Sequence, residues 1–310
     1  MQNKPLLGSL MVLGAAMLWG TTGTAQSLAP VQLSAYWVGA LRLVMASVFF
    51  IGYVFITQPR GLLGDDLRRL PLRWVLASGV FVALYNLSFF AGVRASGVAV
   101  GTAIAIGSGP LWAGLLQWLV ARQAPRPVWW LGTLLAVAGG ACMALAGNTD
   151  QPVNARGVAL CLCAGFSYAA YALINQRLVQ KAAPSTVTLL VFGTAALFAV
   201  PAALAWADSF VISASGWWVV GYLGLVATGL AYLLFSSALR YISGATSVTL
   251  ALAEPLTAFL LAIVVVREQP PAGAFLGLGL VLLGLAVVIW VEMKSPAARS
   301  MQGKAASAAA

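Results

Sequence analysis

The sequence predicts an all-α polytopic membrane protein, with ten transmembrane helices as two inverted five-helix repeats. Three observations predict it. Of 310 residues, 61% are hydrophobic and only 8% are charged, against about 25% charged in a soluble domain. Such a chain has too few polar groups to cover its surface, so its solvent is lipid. Its apolar residues fall into runs of the length, about 20 residues, that crosses a hydrocarbon core. The first half also returns in the second. Ser96-Gly97-Val98 … Gly109-Pro110-Leu111 … Ala121-Arg122-Gln123 … Leu131-Gly132 … Ala138-Gly139 reappears as Ser243-Gly244-Ala245 … Glu254-Pro255-Leu256 … Val266-Arg267-Glu268 … Leu276-Gly277 … Leu283-Gly284. The offset is 145 from Pro110 onward and 147 before it, Tyr85 and Tyr232 included.

In order, the apolar runs cover 7–28, 34–57, 74–93, 98–121, 128–147, 156–176, 187–206, 216–238, 245–266 and 272–291. The first is read as a span, because its apolar stretch outruns the 7–15 residues of a cleaved leader. Residues 7–147 form the first repeat and 156–291 the second. Residues 58–73 form the longest loop, with the pair Asp65-Asp66 solvated among Arg68, Arg69 and Arg73. Residues 292–310 lack a core-forming pattern and are expected to be a disordered cytoplasmic tail. With the N-terminus in the cytoplasm, thirteen of the 17 Lys and Arg lie on the inner side. Only Arg94, Arg156 and Arg267 lie outside, and Arg42 sits within a helix. That bias places both termini in the cytoplasm. Five crossings per repeat then invert one copy against the other, which gives two nearly equivalent states, one open to each side. This is the geometry of a transporter.

The net charge of +10 would suggest nucleic acid in a soluble protein, but here the cations flank apolar runs and read as topology signals. The absence of histidine removes Ser–His and Cys–His catalysis and His-containing zinc sites. Cys142, Cys161 and Cys163 lie in apolar runs and are expected to be buried. No Gly-rich loop ends in Gly-Lys-Ser or Gly-Lys-Thr, so no nucleotide site is expected. Neither a cofactor nor a metal is expected. No ring of charges supports a channel.

Four marks in order carry a family resemblance: Trp19-Gly20 in the first helix, Arg42 in Ala40-Leu41-Arg42-Leu43, the stretch Ala238-Leu239-Arg240-Tyr241-Ile242-Ser243-Gly244-Ala245, and Glu254-Pro255 … Arg267-Glu268 … Gly277 … Gly284. Over about residues 7–292 the chain resembles the EamA-type branch of the drug/metabolite transporter superfamily, and within it is similar to the YddG-like amino-acid exporters. The resemblance implies ten helices, an inverted repeat and export of small metabolites across a bacterial inner membrane. Amino acids with aromatic or other apolar side chains are the first expectation. A multidrug or other metabolite exporter of the same superfamily is the alternative, and a membrane enzyme acting on lipid-borne substrates a weaker one. The first copy departs from the pattern, with Gln123 where the second has Glu268. The expected partners are a small-molecule substrate and the bilayer, with the chain a monomer or homodimer.

Candidate substrate-binding residues are the polar and aromatic groups at mid-membrane depth. Tyr85 and Tyr232 are repeat mates, Trp19 and Tyr168 pair at an offset of 149, and Trp112 follows Pro110. A tyrosine hydroxyl or indole N–H at that depth requires a partner or a wet cavity. These rings either wall a central cavity or pack between helices. Glu254 is the one carboxylate well inside an apolar run, a position costing about 2.5–3.5 kcal/mol for an acid. It serves substrate or protons, or it is a protonated structural group beside Pro255. Arg42 either snorkels outward or faces the cavity, where it would complete a clamp for a zwitterion with Glu254. Pro110 and Pro255 occupy equivalent places and free the carbonyls of Ile106 and Ala251, so they are candidate hinges.

Overall fold

In the computed structural model the described residues are 4–28, 34–58, 60–120, 122–146, 154–207, 210–267 and 270–294. Among them the chain is helical, in the order α1 (Lys4–Leu28), α2 (Ala35–Thr57), α3 (Arg60–Arg69), α4 (Leu72–Ser96), α5 (Val98–Leu119), α6 (Pro127–Leu145), α7 (Ala155–Leu178), α8 (Pro184–Trp206), α9 (Ala214–Gly224), α10 (Ala231–Ala238), α11 (Gly244–Leu250), α12 (Ala253–Leu261) and α13 (Ala272–Met293). A π-helical turn, Leu225–Leu230, joins α9 to α10, and another, Ala262–Val266, follows α12.

Local chemistry sets the helix starts. Ser34, Asn154, Ser213 and Ser243 accept backbone N–H groups of the first turns of α2, α7, α9 and α11. Pro127 and Pro184 open α6 and α8, where a missing N–H costs nothing. Gly97 alone separates α4 from α5, with φ 80° and ψ 155°, a conformation open to glycine and few others.

Nine helices among the described residues are long and apolar enough to cross a membrane. Large apolar side chains such as Leu197, Leu204 and Val264 remain exposed on the outer surface, as a lipid-facing wall requires. The expected fourth span is α5, with 22 residues, or about 33 Å of helix. It stands outside the nine.

Two further differences from the sequence reading concern polar segments. Within 58–73, residues 60–69 form α3. Asp66 is buried, and its Oδ2 accepts Ala183 N at 3.1 Å and Thr186 Oγ1 at 2.9 Å. It therefore caps α8 from a distant segment, since the N-cap Ala183 has no side-chain oxygen of its own. Of the expected tail, Glu292 is helical and its carboxylate accepts Ser243 N and Thr246 Oγ1. Residues 295–310 lie outside the described set, as does Glu268. Cys161 is buried, whereas Cys163 is exposed.

Packing follows the repeat. α1 packs on α10 and α12 as α7 packs on α4 and α5; α2 packs on α8, and α6 on α13. The α6–α13 seam is built on glycines. A Cβ on Gly139 would lie 2.6 Å from Gly277 O, and one on Gly284 would lie 2.5 Å from Gly132 O. In the repeat Gly132 matches Gly277 and Gly139 matches Gly284, so the two contacts are copies of each other. Gly277 thus serves packing within the chain, which small residues permit between membrane helices.

Candidate functional site

A cavity of about 710 Å³ lies among α1, α2, α4, α5, α7, α10 and α12. Of the seven residues expected to bind substrate, Trp19, Arg42, Tyr85, Tyr168, Tyr232 and Glu254 line it. Trp112 stands outside: its ring packs edge-on against Phe166 at 5.5 Å. The lining segments of α1 and α4 come from near their C-terminal ends, and those of α2 and α5 from near their N-terminal ends. The cavity therefore reaches toward the end of the bundle that holds the α1–α2 and α4–α5 connections.

The aromatic wall is continuous. Trp19 contacts Tyr232 at 5.0 Å and Tyr168 edge-on at 6.3 Å, and Tyr168 meets Tyr85 at 5.5 Å. Phe192 closes the wall against Tyr232 at 4.6 Å. Beneath these rings Tyr171 and Phe235 are buried, and Asn175 Nδ2 donates to Tyr171 Oη at 3.1 Å and Ser236 Oγ at 2.9 Å. This knot closes the opposite end of the bundle. There Arg240 donates to Val179 O and Ala182 O, and Gly244 N donates to Gln176 Oε1.

Polar groups are few and placed singly. The indole N–H of Trp19 and the hydroxyl of Tyr168 are buried and have no hydrogen-bond partner among the described residues. Buried donors without partners are rare in native proteins, and both residues also line the cavity. Arg42 does not pair directly with Glu254; its Nε donates to Thr228 Oγ1 at 3.1 Å. Thr228 sits on the π turn between α9 and α10, and its hydroxyl also donates to Leu223 O at 2.6 Å. The cavity thus carries one cation and one carboxylate on an aromatic-rich surface.

The two prolines differ in setting. Pro110 lies inside the uninterrupted α5. Pro255 lies in the first turn of α12, just past a break at Ala251–Leu252. The carbonyl of Ala251, which Pro255 cannot use, accepts Glu254 N at 2.9 Å. The break therefore fixes the backbone of Glu254 beside the cavity.

Thr228, Asn86, Phe89, Phe90 and Phe192 also line the cavity, beyond the seven expected binding residues. Phe89 follows Tyr85 by one helical turn, the one periodic signal available. Thr228 gave none, because its place depends on a π turn.

The chain matches the EamA-like transporter family in two segments, residues 6–145 and 155–290. It is a member of that family and a multi-pass membrane transporter rather than an enzyme. Among curated relatives it is 36% identical to the uncharacterized transporter YwfM of Bacillus subtilis, over 94% of this chain and 97% of that one. It is 29% identical to the threonine/homoserine exporter RhtA of Escherichia coli K12, over 88% of each chain. A solved crystal structure shares its fold, with a TM-score of 0.79 at 19% identity over 93% of this chain and 99% of that chain.

Proposed function

We propose that this protein is a secondary exporter of amino acids, with a preference for aromatic or other apolar side chains, working by alternating access. The observation that carries this reading is the meeting of Arg42 and Glu254 in one aromatic-walled cavity. A zwitterion presents a carboxylate and an ammonium group a few ångströms apart. Arg42 and the indole N–H of Trp19 are donors suited to the carboxylate. Glu254 is suited to the ammonium group, with the ring faces of Tyr85 and Tyr232 adding about 0.5–2 kcal/mol per cation contact. The name of the relative RhtA, a threonine/homoserine exporter, supports the same substrate class.

Alternating access rests on ten spans as two inverted repeats, in which α5 and the α11–α12 pair are equivalent. The matched packing of α1 and α7 and the swapped glycine contacts of α6 and α13 support that frame. On this reading the protein lies in a bacterial inner membrane with both termini cytoplasmic. The cavity then faces outward, and the Arg240, Gln176 and Glu292 contacts close the cytoplasmic end. Pro255, beside the Ala251–Leu252 break, and Pro110 are the hinges. The chain works as a monomer or homodimer, with the cavity lined by residues of one chain.

The test is counterflow in proteoliposomes. Vesicles loaded with unlabelled phenylalanine should accumulate labelled phenylalanine in a saturable, exchange-accelerated manner, and Arg42→Gln and Glu254→Gln should each abolish it. Unsaturable leakage, or no exchange with any amino acid, would overturn the proposal.

A further inference from the structure

A second cavity, of about 440 Å³, lies beside the first, between α5, α6 and α12. Among the described residues Thr102 and Glu254 are the only polar side chains on its wall; the rest is apolar, including Ile106, Val137, Met143 and Phe259. Thr102, Ile106, Glu254 and Ala258 line both cavities, so the two share a wall that includes Glu254. A ligand whose ammonium group sits at Glu254 has an aromatic chamber with Arg42 on one side of that point. On the other side it has an apolar recess without a cation.

From this junction we propose that the side cavity is the specificity pocket of the transporter, holding the apolar side chain of the substrate. The inference rests on the amino-acid reading and deepens it. The main-chain carboxylate and ammonium groups occupy the central chamber between Arg42 and Glu254. The side chain leaves past Glu254 into the recess between α5 and α6. Burial of apolar surface there scales with side-chain size, so the site selects branched and aromatic side chains over small or charged ones. A charged side chain would lose its hydration against Val137, Met143 and Phe259 with no partner to replace it.

Gly140 of α6 gives the test. It lines the recess, and a Cβ built on it meets no atom within 4 Å. A Cβ there enters open space and meets no packed neighbour. Full-length wild type, Gly140→Ala and Gly140→Leu are compared in proteoliposome counterflow with alanine, valine, leucine and phenylalanine as competing substrates. Gly52→Leu is the control, since Gly52 on α2 has equally open surroundings and lines neither cavity. The wild type should show KM falling along the series. Gly140→Leu should raise KM for leucine and phenylalanine about 10-fold or more, leave alanine unchanged, and be graded through Gly140→Ala. Gly52→Leu should change none of them. Equal loss for alanine and phenylalanine in Gly140→Leu, or no change for either, would overturn the side-pocket assignment while leaving the central site standing. The second result is also the one expected if a lipid acyl chain fills the recess. A wild type that exchanges none of the four amino acids would fail at the amino-acid reading itself and take the pocket with it.

Discussion

Arg42 and Thr228 are joined by a hydrogen bond of 3.1 Å between Nε and Oγ1, across 186 positions of sequence. The bond ties the one cation of the cavity to the π turn of Leu225–Leu230. A long arginine within a membrane helix has an alternative, which is to snorkel toward the headgroups. The threonine holds the guanidinium inward, and its own hydroxyl is fixed by Leu223 O. π turns recur at functional sites because the extra residue redirects side chains. Thr228→Val keeps the shape and removes the acceptor. Hydrogen bonds to charged groups contribute about 1.5–3 kcal/mol, so substrate KM should rise roughly 10-fold or more. Thr228→Ser should restore it. Transport kinetics of the two variants against wild type check this, and equal behaviour of Ser and Val would show that Oγ1 plays no part.

Trp19 separates packing from recognition. Its ring touches Tyr168, Tyr232 and Phe235, while its N–H has no hydrogen-bond partner among the described residues. Trp19→Phe retains an aromatic ring and deletes the donor. The expected outcome is a rise in KM of about fivefold, the worth of one ordinary hydrogen bond near 1 kcal/mol, with the unfolding temperature little changed. Tyr171→Phe should do the reverse. Its hydroxyl accepts from Asn175 in the buried knot, so its loss lowers stability by about 1–3 kcal/mol and leaves KM near the wild-type value. Thermal unfolding and counterflow on the same two preparations check both halves.

The glycine seam between α6 and α13 predicts a purely structural effect. Gly139→Val places a Cβ 2.6 Å from Gly277 O and Val281 N, both backbone atoms that cannot yield by rotating. Overpacking of this kind costs about 1–3 kcal/mol. The unfolding temperature in detergent should fall by several degrees, while the protein that remains folded should keep the wild-type KM. A changed KM with unchanged stability would place the seam in the transport path instead.

Hydropathy runs made most helices legible, because lipid forces each span to be long, apolar and internally hydrogen-bonded. Mid-depth position made Trp19, Tyr85, Tyr168 and Tyr232 legible as a group, because a polar ring at that depth has few places to point. The same reasoning had no means of separating them from Trp112, whose ring turns toward Phe166; depth gives height along a helix and not the face. Thr228 was invisible for a different reason. A threonine among Leu225-Val226-Ala227 and Gly229-Leu230 reads as an ordinary span residue, and the π turn that aims it lies where Gly224 and Gly229 pack closely on Met45 and Phe49. The segment 60–69 reads as loop in the sequence because its charge dominates its composition. It folds as a helix that carries Asp66 inward.

Asp66 makes the last prediction. A carboxylate among three arginines was expected to be solvated, yet Asp66 is 3% exposed. The first turn of α8 presents N–H groups with no capping side chain at Ala183. Asp66 fills that role, accepting both Ala183 N and Thr186 Oγ1, while Gln58 bonds Ser185 and Thr186 beside it. The charge also lies where the positive end of the helix dipole favours an anion. Asp66→Ala removes the cap and should cost about 0.5–2 kcal/mol, with α3 released from α8. Asp66→Asn keeps an acceptor oxygen and should lose only the charge-dependent part of that stability. Limited proteolysis should then cut Asp66→Ala within 60–69 faster than wild type or Asp66→Asn. Equal cutting rates in all three would mean that α3 is held by its apolar face alone.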